Sequence, residues 1–378
     1  MIPGMPTSDA ITIPPHLLPA DGRFGSGPSK VRPAQVDMLA ALGRTVLGTS
    51  HRQAPVRRLV ARAKEGLLDL LGAPAGYEVV LGNGGSTTFW DVATCSLVAR
   101  RAQHATFGEF GAKFAAATRA APFLDEPDVR EVPPGRLALP EATDGVDTYA
   151  WPQNETSTGV VAPVRRVGGD AALVVVDATS AAGAVPVDLA ETDVYYLAPQ
   201  KVLASDGGLW FAVVSPSAVE RAATVAASDR WIPESLSFTT ALANSRLDQT
   251  LNTPAIATLV LLVEQLDWLR EAGGLEWAAA RSAASARVLY SWAQSREWAT
   301  PFVAEEALRS PVVGTIDLDD AVDARAVIAA LRDNGIVDVD PYRKLGRNQL
   351  RVGMYPAVDP ADVEALTACV DHVVERLA

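Results

Sequence analysis

Short compact apolar runs punctuate the first two thirds of the chain, at residues 78–81, 173–176, 194–197 and 209–214. They are apolar at successive rather than alternate positions and end in polar residues. Such runs fit strands of a parallel sheet that is covered on both faces. Helical periodicity flanks them over about 34–47, 54–71 and 87–100, and this alternation predicts an α/β class. A long helical stretch follows from about 254 to 271 and stops at Gly273-Gly274; a second runs to about 296. The pattern then changes to a strand at 312–318, a helix at 324–334 closed by Gly335, strands at 336–339 and 349–352, and a helix at 360–377. Residues 1–33, rich in Pro, Gly and Ser, read as an irregular arm. The predicted organisation is an arm over 1–33, a large domain over 34–269 and a smaller C-terminal α+β domain over 270–378.

Three segments carry candidate chemistry. Gly84-Gly85-Ser86-Thr87 follows a predicted strand and opens a helix. Glycines let a backbone approach an anion, and first-turn N–H groups and hydroxyls favour phosphate. The segment is neither a GxxxxGK[ST] loop nor GxGxxG, which weakens a nucleotide reading. Asp177 ends the second apolar run, and Lys201 lies just past the third, 24 positions on. Both therefore fall at the carboxyl edge of the sheet, where α/β proteins bind ligands. Taken singly, each is an ordinary turn, cap or surface charge. Together they are what a pyridoxal phosphate enzyme needs: a phosphate cradle, a carboxylate for the ring nitrogen and a lysine to carry the cofactor covalently.

Composition narrows the partners. The formal net charge is −12, which argues against nucleic acid or an anionic membrane surface. An anionic substrate then requires a local basic pocket. Cys95 and Cys369 sit in apolar stretches and read as buried thiols in a reducing compartment. The opening MIPGMPTSDAITIPP lacks a basic segment followed by an apolar one, so no secretory leader is expected. The longest apolar stretch is broken by Glu264 and too short for a bilayer. A cytoplasmic protein is the expectation. The four histidines and two cysteines show no metal-ligand spacing, and no metal is expected.

Five collinear motifs resemble those of the phosphoserine aminotransferase family, within the class V aminotransferases. They are Phe24-Gly25-Ser26-Gly27-Pro28, Ser50-His51-Arg52, Asn154-Glu155-Thr156-Ser157-Thr158-Gly159, Ala198-Pro199-Gln200-Lys201 and Asn252-Thr253-Pro254. The resemblance implies a fold-type I pyridoxal phosphate transferase whose large domain holds a mainly parallel seven-stranded sheet. It implies interconversion of 3-phosphohydroxypyruvate and L-glutamate with O-phospho-L-serine and 2-oxoglutarate, in serine biosynthesis and, as a second place, in pyridoxine biosynthesis. The alternative is another aminotransferase of the same fold, of serine– or alanine–glyoxylate type. By resemblance Lys201 and Asp177 are catalytic. Gly85, Ser86 and Thr87 cradle the phosphate, and Thr156 and Gln200 contact the cofactor. Asn252 and Thr253 reach the phosphate from the other subunit of a homodimer with shared sites. Arg52, beside His51, receives the amino-acid carboxylate. Phe110, or Phe107 if the register slips, stands where many members stack a Trp on the ring. Arg351 and Lys344 align with a pair that holds substrate phosphate, with Lys344 where a His is usual.

Overall fold

The computed structural model describes residues 11–377. The first ten residues of the expected arm, with most of the segment read as lacking a leader, lie outside them. Helices α1 (Pro33–Val46) and α2 (Ala54–Leu70) come first, each with a proline in its first turn, where the missing N–H costs nothing. Then follow β1 (Glu78–Asn83), α3 (Ser86–Ser96), β2 (Ala102–Thr106), α4 (Glu109–Ala120), β3 (Asp128–Glu131), β4 (Thr148–Pro152) and the short hairpin β5 (Asn154–Glu155) and β6 (Val160–Val161). Next are β7 (Leu173–Asp177), β8 (Val194–Leu197), β9 (Leu209–Val214), α5 (Pro216–Ala226) and α6 (Phe238–Arg246). Ser215 and Ser237 cap α5 and α6 through their side-chain oxygens.

Seven strands form one sheet in the order β1-β9-β8-β7-β4-β2-β3. β9 runs antiparallel to both neighbours and the other pairings are parallel. β2, β4, β7, β8 and β9 are buried along their whole length, because helices cover both faces. Val174 and Val176 join the core made with α2 and α7 (Ile256–Ala272). Their neighbours Leu173 and Val175 join the opposite core with Phe89 of α3, Phe114 of α4 and Phe238 of α6. The period of two thus feeds two separate cores from one uninterrupted apolar run.

α8 (Gly274–Gln294) starts at the predicted Gly273-Gly274 break and crosses between bodies. Ala278 packs in the first core, whereas Leu289 and Ala293 belong to another. That third core is built from β10 (Ala299–Pro301), β11 (Val313–Leu318), α9 (Ala324–Asp333), β12 (Gln349–Gly353) and α10 (Pro360–Leu377). The chain before α1 packs there too, through Ile13 and Phe24. Residues 336–339 do not form the expected strand: Val337 makes a single parallel bridge to Arg23. Asp338 takes a left-handed φ of 64° there, which breaks the extended run. The expected helix at 87–100 ends at Ser96, because Asp147 takes the N–H groups of Ala99, Arg100 and Arg101.

Buried His104, central in β2, bonds Thr118 Oγ1 at 2.8 Å and meets the Phe114 ring edge-on. Burial, with a smaller push from Arg119, lowers its pKa to about 3. Above its ordinary 6.5 both folded and unfolded chains leave it neutral. Below that, only the unfolded chain takes up the proton, so stability falls as pH drops from 6.5 towards 3. We expect His104→Gln to remove this component. The wild type should lose about 1 kcal/mol per pH unit relative to the variant in that window, read from urea midpoints at pH 7.5, 6 and 5; parallel curves would contradict it.

Candidate active site

The parallel strands place their carboxyl ends along one edge of the sheet, and the candidate residues gather there. A cavity of about 270 Å³ is lined by Gly85, Ser86 and Thr87 on one side, Asp177 below, and Thr156, Gln200, Lys201 and Phe110 around the rest. Eight of the residues picked from sequence thus share one pocket. Phe107 is fully buried in the large core instead, so Phe110 is the cavity's aromatic wall.

Lys201 is 8 % exposed. Its Nζ donates to Thr156 Oγ1 at 2.9 Å and lies 4.7 Å from the Phe110 ring centroid. Burial lowers its pKa to about 8; Asp177 and Glu155 oppose the shift, while Arg351 and Lys113 add to it. The glycine-rich segment near the amino end explains itself here. A Cβ on Gly27 would fall 2.8 Å from Lys201 Cε, at a φ of 147° that other residues rarely adopt. Ser29 N donates to Gln200 O at 2.8 Å, and Ser29 Oγ donates to the Lys201 carbonyl. The segment is therefore a floor on which the lysine lies.

Asp177 accepts from Thr179 N at 2.9 Å. Burial raises its carboxyl above the ordinary range, while the Thr179 and Tyr196 hydrogen bonds and the charge of Lys201 pull it back. The Tyr196 hydroxyl also receives Trp90 Nε1 at 2.8 Å, so Asp177 is fixed by a chain that begins on α3. At the cradle, Gly84 has φ 113°, and an added Cβ would meet Thr88 Oγ1 at 2.3 Å. This turn frees the opening of α3, whose first-turn N–H groups lack intrahelical partners. Ser86 Oγ and Thr179 Oγ1 lie 2.6 Å apart beside it.

Trp90, Asn154, Thr179 and Ser180 also line the cavity, and sequence reasoning misses them as site residues. Thr156 donates to Ser180 Oγ at 2.8 Å, and Asn154 Nδ2 donates to the same oxygen at 2.9 Å. Thr179 and Ser180 follow directly on Asp177, and that adjacency is the signal the sequence offers for them.

The remaining candidates lie elsewhere. Asn252 and Thr253 do not line this cavity; Asn252 borders a neighbouring one. Thr253 Oγ1 lies 3.2 Å from Nδ1 of buried His51, whose Nε2 has no partner among the described residues. Burial and the nearby Arg52 lower the His51 pKa. Arg52 is exposed and joins no ion pair among the described residues. Lys344 is exposed and ion-pairs with Glu109. Arg347 pairs with Asp317 at 2.6 Å. Arg351 reaches inward from β12, donating through Nη1 to Thr156 O at 3.3 Å and leaving its buried Nε unpartnered. No group of metal-ligating side chains occurs among the described residues, and none of their helices is long and apolar enough to cross a membrane.

A family model for class V aminotransferases matches residues 27–366. A phosphoserine aminotransferase of Nocardioides sp. is 60 % identical over 373 residues, covering 98 % of this chain and all of that one. Among solved structures, a phosphoserine aminotransferase from Cytophaga hutchinsonii superposes with a TM-score of 0.86 at 20 % identity, covering 93 % of this chain and 99 % of the other. A PLP-bound phosphoserine aminotransferase from Trichomonas vaginalis gives a TM-score of 0.79 at 18 % identity, with 93 % and 99 % covered. Full-length identity of this order, on an α/β frame whose cavity is lined by Asn154, Thr156, Gln200 and Lys201 from two of these motifs, leaves one conclusion: the chain belongs to the class V aminotransferases, and within them to the phosphoserine aminotransferase family.

Proposed function

We infer that this chain interconverts 3-phosphohydroxypyruvate and L-glutamate with O-phospho-L-serine and 2-oxoglutarate, using pyridoxal 5′-phosphate at the sheet edge. The observation that carries the reading is one cavity lined together by a buried lysine, a buried aspartate and the opening of a helix. The residues present fit the cofactor. The opening of α3 suits its phosphate, Asp177 its ring nitrogen and Phe110 its ring face. The buried atoms Asn154 Oδ1 and Gln200 Oε1 have no partner among the described residues, as expected where a polar ligand belongs.

When bound, pyridoxal phosphate supplies an electron sink for negative charge at the substrate Cα. The protein's part is positional and protonic. Lys201 Nζ takes the proton from Cα and returns one in the reverse direction, a role suited to an amine whose pKa lies near 8. Asp177 keeps a proton on the ring nitrogen. Thr156 holds Lys201 and, through the loop it shares with Glu155, faces the cavity between lysine and aromatic wall.

Bond counts in the substrate bear on the roles of the two arginines. Resemblance gives Arg52 the α-carboxylate and Arg351 the phosphate. The carboxyl carbon is one bond from Cα, however, and the phosphorus of phosphoserine is three bonds away. Of the two, Arg351 is the one that bonds the carbonyl of Thr156, whose hydroxyl holds Lys201 Nζ, and it contributes to the Lys201 pKa shift. That closeness supports giving the α-carboxylate to Arg351 and the distal phosphate to Arg52 with His51, at a site completed by another copy. Asn252 and Thr253, off their own subunit's cavity, support the homodimer, since by resemblance they serve the partner's phosphate. The break at Gly273-Gly274 and the separate cores support division near residue 270. Two free cysteines, Cys95 and Cys369, support a cytoplasmic location.

Four outcomes are expected. In cofactor-free protein, labelling of Lys201 by an amine-arylating reagent should rise with a midpoint near pH 8. Lys344, its pKa raised by Glu109, should lag; a Lys201 midpoint near 10 would contradict the assigned environment. Asp177→Asn keeps the shape and removes the charge, so turnover should fall by about 3 kcal/mol of transition-state stabilisation, roughly a hundredfold or more. Activity within a few-fold of wild type would remove Asp177 from the mechanism. Half-reactions followed by stopped-flow absorbance should show phosphoserine and glutamate converting the bound cofactor far faster than serine or alanine. Arg351→Ala should slow phosphoserine and glutamate alike, by roughly 30-fold or more, the scale of one charged hydrogen bond. A loss confined to phosphoserine would return Arg351 to the phosphate.

A further inference from the structure

α4 begins without a cap of its own. Its N-cap residue is Gly108, and a Cβ there would fall 2.4 Å from Glu155 Cγ and 2.6 Å from Ser157 Oγ. The missing side chain makes room for a cap from another strand. Glu155, fully buried on β5, accepts through Oε2 from Phe110 N at 3.0 Å and Gly111 N at 3.1 Å. Its Oε1 accepts from Ser157 N at 3.0 Å and Ser157 Oγ at 2.6 Å. Ser157 Oγ in turn accepts from Glu109 N at 3.0 Å. All of the first three amides of α4 are thus held by one tripeptide loop, and a carboxylate sits where the helix dipole favours it.

Phe110 belongs to that first turn, and its ring walls the cavity 4.7 Å from Lys201 Nζ. The residue after Glu155 is Thr156, which holds Lys201 Nζ. We propose that Glu155 is a positioning residue: its buried carboxylate fixes the start of α4 and so sets the Phe110 ring over the cofactor, in register with the lysine held by the next residue. The proposal rests on the reading of Phe110 as the ring-stacking aromatic. A core carboxylate serving the fold alone would have no reason to act through Phe110, and this separates the two roles. Burial raises the Glu155 pKa, and the hydrogen bonds from Ser157 and Gly111 oppose it; four such bonds satisfy both oxygens, and no ion pair joins them among the described residues.

The experiment is a double-mutant cycle between Glu155→Gln and Phe110→Ala, read by visible circular dichroism of bound pyridoxal 5′-phosphate and by its Kd. Gln keeps the shape and one acceptor oxygen but loses the charge and the second acceptor. Phe110→Ala should diminish the dichroism several-fold and raise Kd about tenfold, the scale of losing one stacked aromatic contact. Glu155→Gln should reproduce part of both changes, and the double variant should be no worse than Phe110→Ala alone, because coupled residues are not additive. Wild-type dichroism and Kd in Glu155→Gln, or losses that multiply in the double variant, would overturn the positioning role while leaving Phe110 as stacker. Unchanged dichroism in Phe110→Ala would overturn both readings. Should Glu155→Gln fail to fold, Ser157→Ala removes the hydroxyl that links Glu155 to the Glu109 amide. It is expected to shift the dichroism in the same direction, more weakly, and a wild-type signature in it would overturn the proposal.

Discussion

The amine of Lys201 is held almost out of water, with a threonine hydroxyl, an aromatic face and two buried carboxylates as its surroundings. Desolvating an ammonium is costly unless partners or deprotonation relieve it, and each neighbour bears on that balance. Gly27 must be a glycine because the lysine's stem occupies the space of its Cβ. Asp177 and Glu155 keep the amine from losing its proton altogether, while burial and Arg351 keep it from holding that proton too tightly. A group with its pKa near 8 is poised to move a proton at neutral pH. That poise comes from geometry spread over the amino-terminal segment, β5, β7, the loop after β8 and β12.

Those elements belong to different packed bodies, and specific bonds bring them into register. The carbonyl of Ser26 accepts from the Tyr355 hydroxyl at 2.8 Å, and Gly353 N donates to Phe24 O at 2.7 Å. Thr315 of β11 donates to Thr158 O at 2.9 Å, and Ser310 N donates to Gly159 O at 2.9 Å. The small sheet is thus bonded to the same loop that holds Lys201 and caps α4. Arg351, paired in register with Thr315, inherits its position from that contact.

The legible parts of the sequence are those where one physical demand acts alone. β7 and β8 are uninterrupted apolar runs, and Asp177 and Lys201 follow from where such runs end. β2 escapes a reading by periodicity because it carries Gln103 and His104 inside; both are buried, with Gln103 satisfied by Asp128 and Thr143. Periodicity cannot see a polar residue whose partner lies 14 or more positions away. Glu155 is visible only as one letter of a motif, since its function is defined by amides of α4 that are 44 and 45 positions distant. Arg343, Lys344, Arg347 and Arg351 lie within nine positions of the chain. Folding separates them, because Arg351 turns inward from β12 while Arg347 and Lys344 turn to carboxylates on neighbouring elements.

That separation bears on how an acidic protein admits a dianion. Lys344 reaches across from the small body to Glu109, beside Phe110, and the Tyr342 ring lies 6.0 Å from the Phe110 ring. An exposed ion pair of this kind contributes little to stability, because water competes for both partners. It does keep the ammonium beside the mouth of the cavity with its charge compensated. The Lys344 side chain is 55 % exposed in this pair and that of Glu109 only 19 %, so the lysine is the solvated partner. Glu109 also receives Lys113 at 3.5 Å, so one carboxylate holds two cations at this edge of the cavity. Positive charge is thus gathered beside the cavity without being left uncompensated. The formal charge of −12 is therefore offset locally, because the fold brings Lys113, Lys344 and Arg351 to the edge of the cavity.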